Sequence, residues 1–261
     1  MDKFVHKKSL GQNFLKDKNV LMKIIDAIDV KEDDLVIEIG PGQGALTKYL
    51  KLYHANLICY EVDTRVRKYL DKFQDNKTNI IYEDFMKRYF LLDIAKVKHN
   101  KLYVIANLPY YITSPIIEKI IESKANVSGM VFMVQKEVAD RFGAKPGSKD
   151  YGYMTVYLNY FYDVEKLFFV DRKCFDPVPN VDSAVIRFTK KEEKPEVKNE
   201  ELFFRLIKEA FHMKRKNIRN NLRSYDLEKI EKILTKYDLT LQDRAENISL
   251  NCFVDIANEL S

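Results

Sequence analysis

Short apolar runs alternate with segments of helical spacing over the first two-thirds of the chain. Residues 35–39, Leu-Val-Ile-Glu-Ile, form a nearly continuous apolar run of the kind buried inside a sheet, and residues 44–52 follow with helical spacing. Residues 56–60 predict a second strand, followed by a helix over 66–73. Residues 79–82 predict a third strand and 102–106 a fourth, then a helix over 116–121 and a fifth strand over 129–134. This alternation predicts an α/β fold with a mostly parallel sheet and helices on both faces. The pattern then changes. Residues 162–170 and 181–188 are β-rich and separated by the turn-forming Phe175-Asp176-Pro177-Val178-Pro179-Asn180, so an antiparallel pair closing one sheet edge is expected. The charged stretch 190–198, with Pro195, reads as a linker. Beyond it, helices are predicted over 200–211, 216–222, 227–237 and 252–260. The expected domains are residues 1–190 and a small helical domain over 191–261.

Composition narrows the picture. The chain has 261 residues, of which 46% are apolar, enough for one large core and an appendage. No apolar run approaches the ~20 residues of a membrane-spanning helix, and the charged N-terminal segment lacks the apolar stretch of a secretory signal. Cys59, Cys174 and Cys252 are odd in number and far apart, and the four histidines are scattered. A disulfide framework or metal site is therefore not expected, and a reducing cytoplasmic setting is. The net charge is +5, but its distribution is more telling. Residues 210–225 contain no acid, while Lys214, Arg215, Lys216, Arg219 and Arg223 fall close together; Lys3, Lys7 and Lys8 form a second group. Such patches suit phosphate backbones. Nothing demands a dimer, so a monomer is expected.

The first predicted strand runs into Gly40-Pro41-Gly42-Gln43-Gly44, where glycines let a ligand approach the backbone. Two readings are open. Gly40, Gly42 and Ala45 satisfy a dinucleotide fingerprint, with Glu61 about 20 residues on, which points to NAD. Against that, Glu38 lies two residues before Gly40, Glu61 ends the second strand and Glu83-Asp84-Phe85 ends the third. The order of acids at consecutive strand ends resembles that in S-adenosylmethionine-dependent methyltransferases. There Glu61 would accept from ribose hydroxyls, and Asp84 from an adenine amine with Phe85 packing the ring. The fourth strand ends at Asn107-Leu108-Pro109-Tyr110, an amide, a fixed backbone and an aromatic ring suited to holding an exocyclic amine.

The motifs together resemble the KsgA-type small-subunit rRNA adenine dimethyltransferases, over essentially the whole chain. Those that carry the resemblance are Lys8-Ser9-Leu10-Gly11-Gln12-Asn13-Phe14-Leu15, Asn107-Leu108-Pro109-Tyr110-Tyr111-Ile112-Thr113-Ser114-Pro115 and Gln135-Lys136-Glu137-Val138-Ala139-Asp140-Arg141. To these add residues 144–152, Phe175-x-Pro177-x-Pro179-x-Val181-Asp182-Ser183-Ala184-Val185 and Arg244-Ala245-Glu246-Asn247. The resemblance implies a Rossmann-like methyltransferase domain with a small C-terminal helical, rRNA-binding domain. It also implies dimethylation of N6 on two adjacent adenosines near the 3′ end of 16S rRNA, on the small ribosomal subunit, and a part in ribosome biogenesis. Carried over, Asn13, Leu15, Gly40 and Gly42 would line the methionine side of S-adenosylmethionine, Glu61 would hold its ribose, and Asp84 and Phe85 its adenine. Asn107, Leu108 and Pro109 would stand at the point of methyl transfer, with Tyr110 and Phe175 sandwiching the target base. Lys7, Lys8, Lys214, Arg215, Lys216, Arg219 and Arg223 would meet RNA phosphates. The related Erm enzymes modify large-subunit rRNA and usually read Asn-Ile-Pro where this chain has Asn107-Leu108-Pro109. An Erm-type activity and a noncatalytic assembly factor are the alternatives.

Overall fold

The computed structural model describes residues 13–261. Nine strands are present among them: β1 (Phe14–Leu15), β2 (Leu35–Ile39), β3 (Asn56–Tyr60), β4 (Thr78–Ile81), β5 (Leu102–Asn107), β6 (Val127–Gln135), β7 (Tyr162–Val170), β8 (Phe175–Asp176) and β9 (Ser183–Lys190). Seven form one sheet in the order β4-β3-β2-β5-β6-β9-β7. β2 runs parallel to both β3 and β5, and β6 parallel to β5, while β9 is antiparallel to β6. The strand pattern of the sequence is thus realised, including the two late strands at one sheet edge. All five residues of β2 are buried, as expected for an interior parallel strand covered on both faces.

The helices differ more from the sequence pattern. The one predicted from residue 44 begins at Thr47, because Gly44 has φ +81° and cannot belong to a right-handed helix. Among the helices not predicted are Leu91–Ile94, Lys136–Phe142 and Tyr153–Phe161. β1 and β8 form a separate two-stranded antiparallel sheet, pairing Phe14 with Asp176 and Leu15 with Phe175. No helix among the described residues is long and apolar enough to cross a membrane.

By its contacts the chain divides into two compact units, one holding residues up to Ala139 with Glu165–Thr189, the other Asp140–Val164 with Lys190–Ser261. A single cut after residue 190 therefore leaves residues 140–164 on the wrong side. Aromatic packing explains the grouping. Tyr160 meets Phe203 at 5.0 Å between ring centroids, and Phe161 stacks on Phe204 at 5.7 Å. The second unit buries Phe203, Leu206, Ile207, Ile230, Ile233 and Phe253. Three of its helices start at side-chain caps, with Asn199, Asp226 and Ser249 accepting from backbone N–H groups of the first turn.

Candidate active site

Strand order reverses at β2, which has β3 on one side and β5 on the other. In open α/β sheets ligands bind outside the carboxyl ends of the strands at that switch point. Ile37 and Val104 are the last residues paired between β2 and β5; three positions further along come Gly40, just past the end of β2, and Asn107, the last residue of β5. A cleft opens there, lined by residues at the ends of β2, β3, β4 and β5 and by the segment around β1, among them Asn13, Gly40, Glu61, Asp84, Asn107 and Tyr110.

The acids are held by the backbone and by one another's neighbours. Glu61 is 5% exposed. Its Oε2 accepts from the Gly42 N–H at 2.8 Å and its Oε1 from the Asp63 N–H at 2.7 Å. Burial pushes its carboxyl upward, and the two backbone donors pull it back. Glu38 is buried beneath the same loop, with Thr47 Oγ1 donating to its Oε2 at 2.6 Å. Burial pushes Glu38 up to about 8, against the opposing Thr47 bond, so it holds its proton at neutral pH. Asp84 is half-buried and caps its own turn by accepting from the Met86 N–H at 2.9 Å. Phe85 is buried against Tyr60 and Phe90.

The raised Glu38 carboxyl has a consequence for stability. Its ordinary value is 4.5 and its folded value about 8, so between these pH values the folded chain holds a proton that the unfolded chain has released. Stability contributed by this group is full below the lower value and is lost as pH rises towards the upper one. The urea midpoint of the wild type is expected to fall between pH 5 and pH 8 more steeply than that of Glu38→Gln, which is permanently neutral; parallel slopes would contradict the assignment.

At the other side of the cleft, Asn107 Nδ2 donates to the Asn13 carbonyl at 3.2 Å. This bond fixes the amide so that Oδ1 is left as the acceptor. The Leu108 N–H is tied to the Met133 carbonyl at 3.1 Å, which seats the motif on β6. The Tyr110 hydroxyl bonds Ser183 Oγ at 2.7 Å, and Ser183 is fully buried on β9. Two motifs distant in sequence thus meet, and the Tyr110 ring is held by its far end.

Asn13, Leu15, Gly40, Gly42, Glu61, Asp84, Phe85, Asn107, Leu108, Pro109 and Tyr110 all line the one cleft. Phe175 does not. It is 3% exposed and lies in an apolar cluster with Leu15, Leu21 and Ile24, placed there by its pairing with Leu15. Phe14, Val62 and Tyr111 are among the lining residues that sequence reasoning gave no role. Phe14 packs over the glycine loop, where a Cβ on Gly42 would come within 2.5 Å of its ring. Val62, 52% exposed, stands beside Glu61, and Tyr111, 62% exposed, beside Tyr110. An apolar residue following a strand-end acid is the signal that would have found Val62.

Lys214, Arg215, Lys216, Arg219 and Arg223 are exposed in the second unit; Lys7 and Lys8 lie outside the described residues. Among the described residues no group of three His, Cys, Asp or Glu side chains is placed to hold a metal ion.

Comparison with known proteins gives this arrangement its context. A model of the ribosomal RNA adenine dimethylase family matches residues 3–261. The chain is 42% identical over 260 residues to ribosomal RNA small subunit methyltransferase A of Fusobacterium nucleatum, covering 97% of each protein. It is 40% identical to the protein of that name from a Geobacillus strain, covering 98% of this chain and 92% of the relative. Among solved structures, a dimethyladenosine transferase from Plasmodium falciparum superposes with a TM-score of 0.76 at 28% identity, covering 93% of this chain and 95% of that one. The 23S rRNA methyltransferase ErmE superposes with a TM-score of 0.74 at 25% identity, covering 95% and 99%. With a family match spanning the strand-end acids, the glycine loop and the Asn107 motif alike, the chain belongs to the ribosomal RNA adenine dimethylase family.

Proposed function

We propose that this chain uses S-adenosylmethionine to dimethylate N6 of two adjacent adenosines in the 3′-terminal hairpin loop of 16S rRNA, acting on the small ribosomal subunit during its biogenesis. The observation that carries the reading is the Asn107 amide, oriented by Asn13 at the end of β5 with its oxygen left to accept from an amine. Full-length similarity to small-subunit methyltransferases supports the small subunit over the large one.

The cleft suits the cofactor chemically. A Cβ on Gly40 would meet no protein atom within 4 Å, so the space beside this lining residue is cleft, where a ligand can reach the backbone. Glu61 stands ready for ribose hydroxyls, and Asp84 with Val62 and Phe85 for an adenine. When bound, S-adenosylmethionine supplies an electrophilic methyl group. The residues of this chain do the rest. The N6 lone pair of adenine is delocalised into the ring and is a poor nucleophile. Acceptance of its hydrogens by Asn107 Oδ1 and the Leu108 carbonyl draws the amine out of that conjugation. Tyr110, anchored to Ser183, fixes the base plane by stacking, an interaction worth about 1–3 kcal/mol. Positioning supplies most of the acceleration, and the proton of the methylated amine passes to solvent after transfer, so no buried general base is needed. The adenine enters the cleft only after leaving its stack. Phe175 contributes by backing the wall that carries Asn13 and Leu15.

Two glycine substitutions separate fold from cofactor. Gly42→Ala adds a Cβ 2.5 Å from Phe14 Cε1 at a φ of +57°, and is expected to lower stability by about 1–3 kcal/mol. Gly40→Ala, at φ +70° with open space around it, is expected to lose only about 1–2 kcal/mol of stability through backbone strain but at least tenfold in cofactor affinity. Thermal unfolding and calorimetric titration with S-adenosylmethionine read the two effects. The function itself is tested by nucleoside analysis of small-subunit rRNA from cells lacking the protein. Loss of dimethyladenosine, restored by the wild type and not by Asn107→Ala, is the expected result. Its persistence without the protein would contradict the reading.

A further inference from the structure

The loop that follows β4 carries Asp84, Phe85 and Met86, and all three line the cleft. It is held from two sides. On one, the Arg88 guanidinium donates to Asp93 Oδ1 at 2.8 Å and Oδ2 at 2.9 Å, and the Tyr60 hydroxyl donates to the same carboxylate at 3.0 Å. On the other stands Lys119, half-buried on the helix Thr113–Glu122. Its Nζ donates to the Met86 carbonyl at 2.7 Å and to the Arg88 carbonyl at 2.9 Å. The same ammonium lies 5.5 Å from the centre of the Phe85 ring, within cation–π range. Burial draws its pKa below the ordinary lysine value, against the opposing charge of Asp84 nearby. Three positions earlier on the same helix, and so on the same face, Ile116 lines the cleft. The helix begins shortly after the Asn107 motif.

These contacts bear on one oxygen. Asp84 spends Oδ1 on the Met86 N–H, which leaves Oδ2 without a hydrogen-bond donor among the described residues. An amine on a purine ring is a donor that this oxygen can accept from. The bond between Asp84 and Met86 spans two residues, so the carboxylate follows wherever Met86 is placed. Lys119 places Met86 by its carbonyl, and a lysine ammonium has donors enough for both loop carbonyls at once. Without it the loop keeps the Arg88 side-chain anchor and loses the one closest to Asp84. We propose that Lys119 is the positioning residue of the adenine pocket: by binding the Met86 and Arg88 carbonyls it holds Asp84 Oδ2 where the 6-amino group of the cofactor's purine is accepted, and so sets selection for that amine. The inference rests on the reading of the cleft as an S-adenosylmethionine site. It also ties the adenine pocket to the helix that continues from the methyl-transfer motif.

The test titrates the full chain calorimetrically with two ligands, S-adenosylhomocysteine and its analogue with hydrogen in place of the 6-amino group. The wild type is expected to bind the first about 30-fold more tightly, the cost of losing a hydrogen bond to a carboxylate. Lys119→Met keeps the apolar stem and removes the ammonium. It is expected to bind S-adenosylhomocysteine about tenfold more weakly and the analogue less than about twofold more weakly, narrowing the preference to about three- to sixfold. Lys119→Gln keeps a donor without the charge and should fall between; Lys119→Arg keeps both and should restore the preference. A lysine that only stabilised the fold would lower both affinities alike, because the analogue fills the same cleft. At saturating S-adenosylmethionine the methyl-transfer rate of Lys119→Met should change less than about threefold, so the loss lies in KM and not in kcat. Thermal unfolding checks that each variant is folded at the titration temperature, and Lys119→Gln carries the comparison if Lys119→Met is not. Equal losses on the two ligands, or a wild-type preference in the neutral variants, would overturn the proposal. A wild type that binds both ligands equally would instead overturn the reading of Asp84 as the adenine acceptor, and one that binds neither would overturn the cofactor assignment.

Discussion

Asn107→Ala is expected to slow methyl transfer to saturating RNA by about 10²–10³-fold, equal to about 3–4 kcal/mol of barrier, while S-adenosylmethionine affinity changes less than threefold. The side chain is proposed to act on the incoming amine, so its loss should appear in the single-turnover rate and not in the calorimetric titration. Asn107→Asp sharpens the test. It keeps an acceptor but loses the Nδ2 donor to the Asn13 carbonyl, which then faces a carboxylate oxygen instead of an N–H. Its rate should lie well below that of the wild type, with cofactor affinity again retained. A wild-type rate in either variant would remove Asn107 from the chemistry.

The second large effect concerns Glu61. Glu61→Ala leaves the Gly42 and Asp63 N–H groups without their acceptor, in a place where the side chain is 5% exposed. An unsatisfied buried donor costs about 1–3 kcal/mol, so a clear fall in Tm is expected. Cofactor affinity should drop by about 100-fold, because the same residue shapes the loop and is proposed to hold the ribose. Glu61→Gln is no remedy. The two N–H groups address different oxygens, and an amide offers only one, so the second donor meets an NH₂ group. A Glu61→Gln protein of wild-type stability and affinity would contradict this account of the loop.

How much was legible beforehand follows from the physics of each part. β2 to β6 were legible because buried parallel strands are nearly continuous apolar runs, and the acids and glycines at their ends stand in chain order. The β1–β8 pair was not: two residues per strand carry no periodicity, and its partners lie some 160 positions apart. The helix Tyr153–Phe161 is apolar around most of its surface, with Thr155, Val156, Tyr157, Leu158 and Tyr160 buried, so it lacks the polar stripe that marks an amphipathic helix. Missing it also misplaced the division between the units. In the site, the residues that gather in the cleft were read from local motifs. Ser183 was quoted only as part of a motif, since its bond to Tyr110 joins positions 73 apart. The base-sandwiching role given to Phe175 by resemblance finds no support in its position, buried beside Leu15.

The central claim is a reaction on a particular subunit, and one experiment addresses it directly. The purified chain is incubated with labelled S-adenosylmethionine and with unmethylated small and large ribosomal subunits, and labelled nucleosides are mapped. The account predicts N6,N6-dimethyladenosine confined to two adjacent positions in the 3′ hairpin of the small-subunit rRNA. Label in large-subunit rRNA, or none in either subunit despite measurable cofactor binding, would contradict it.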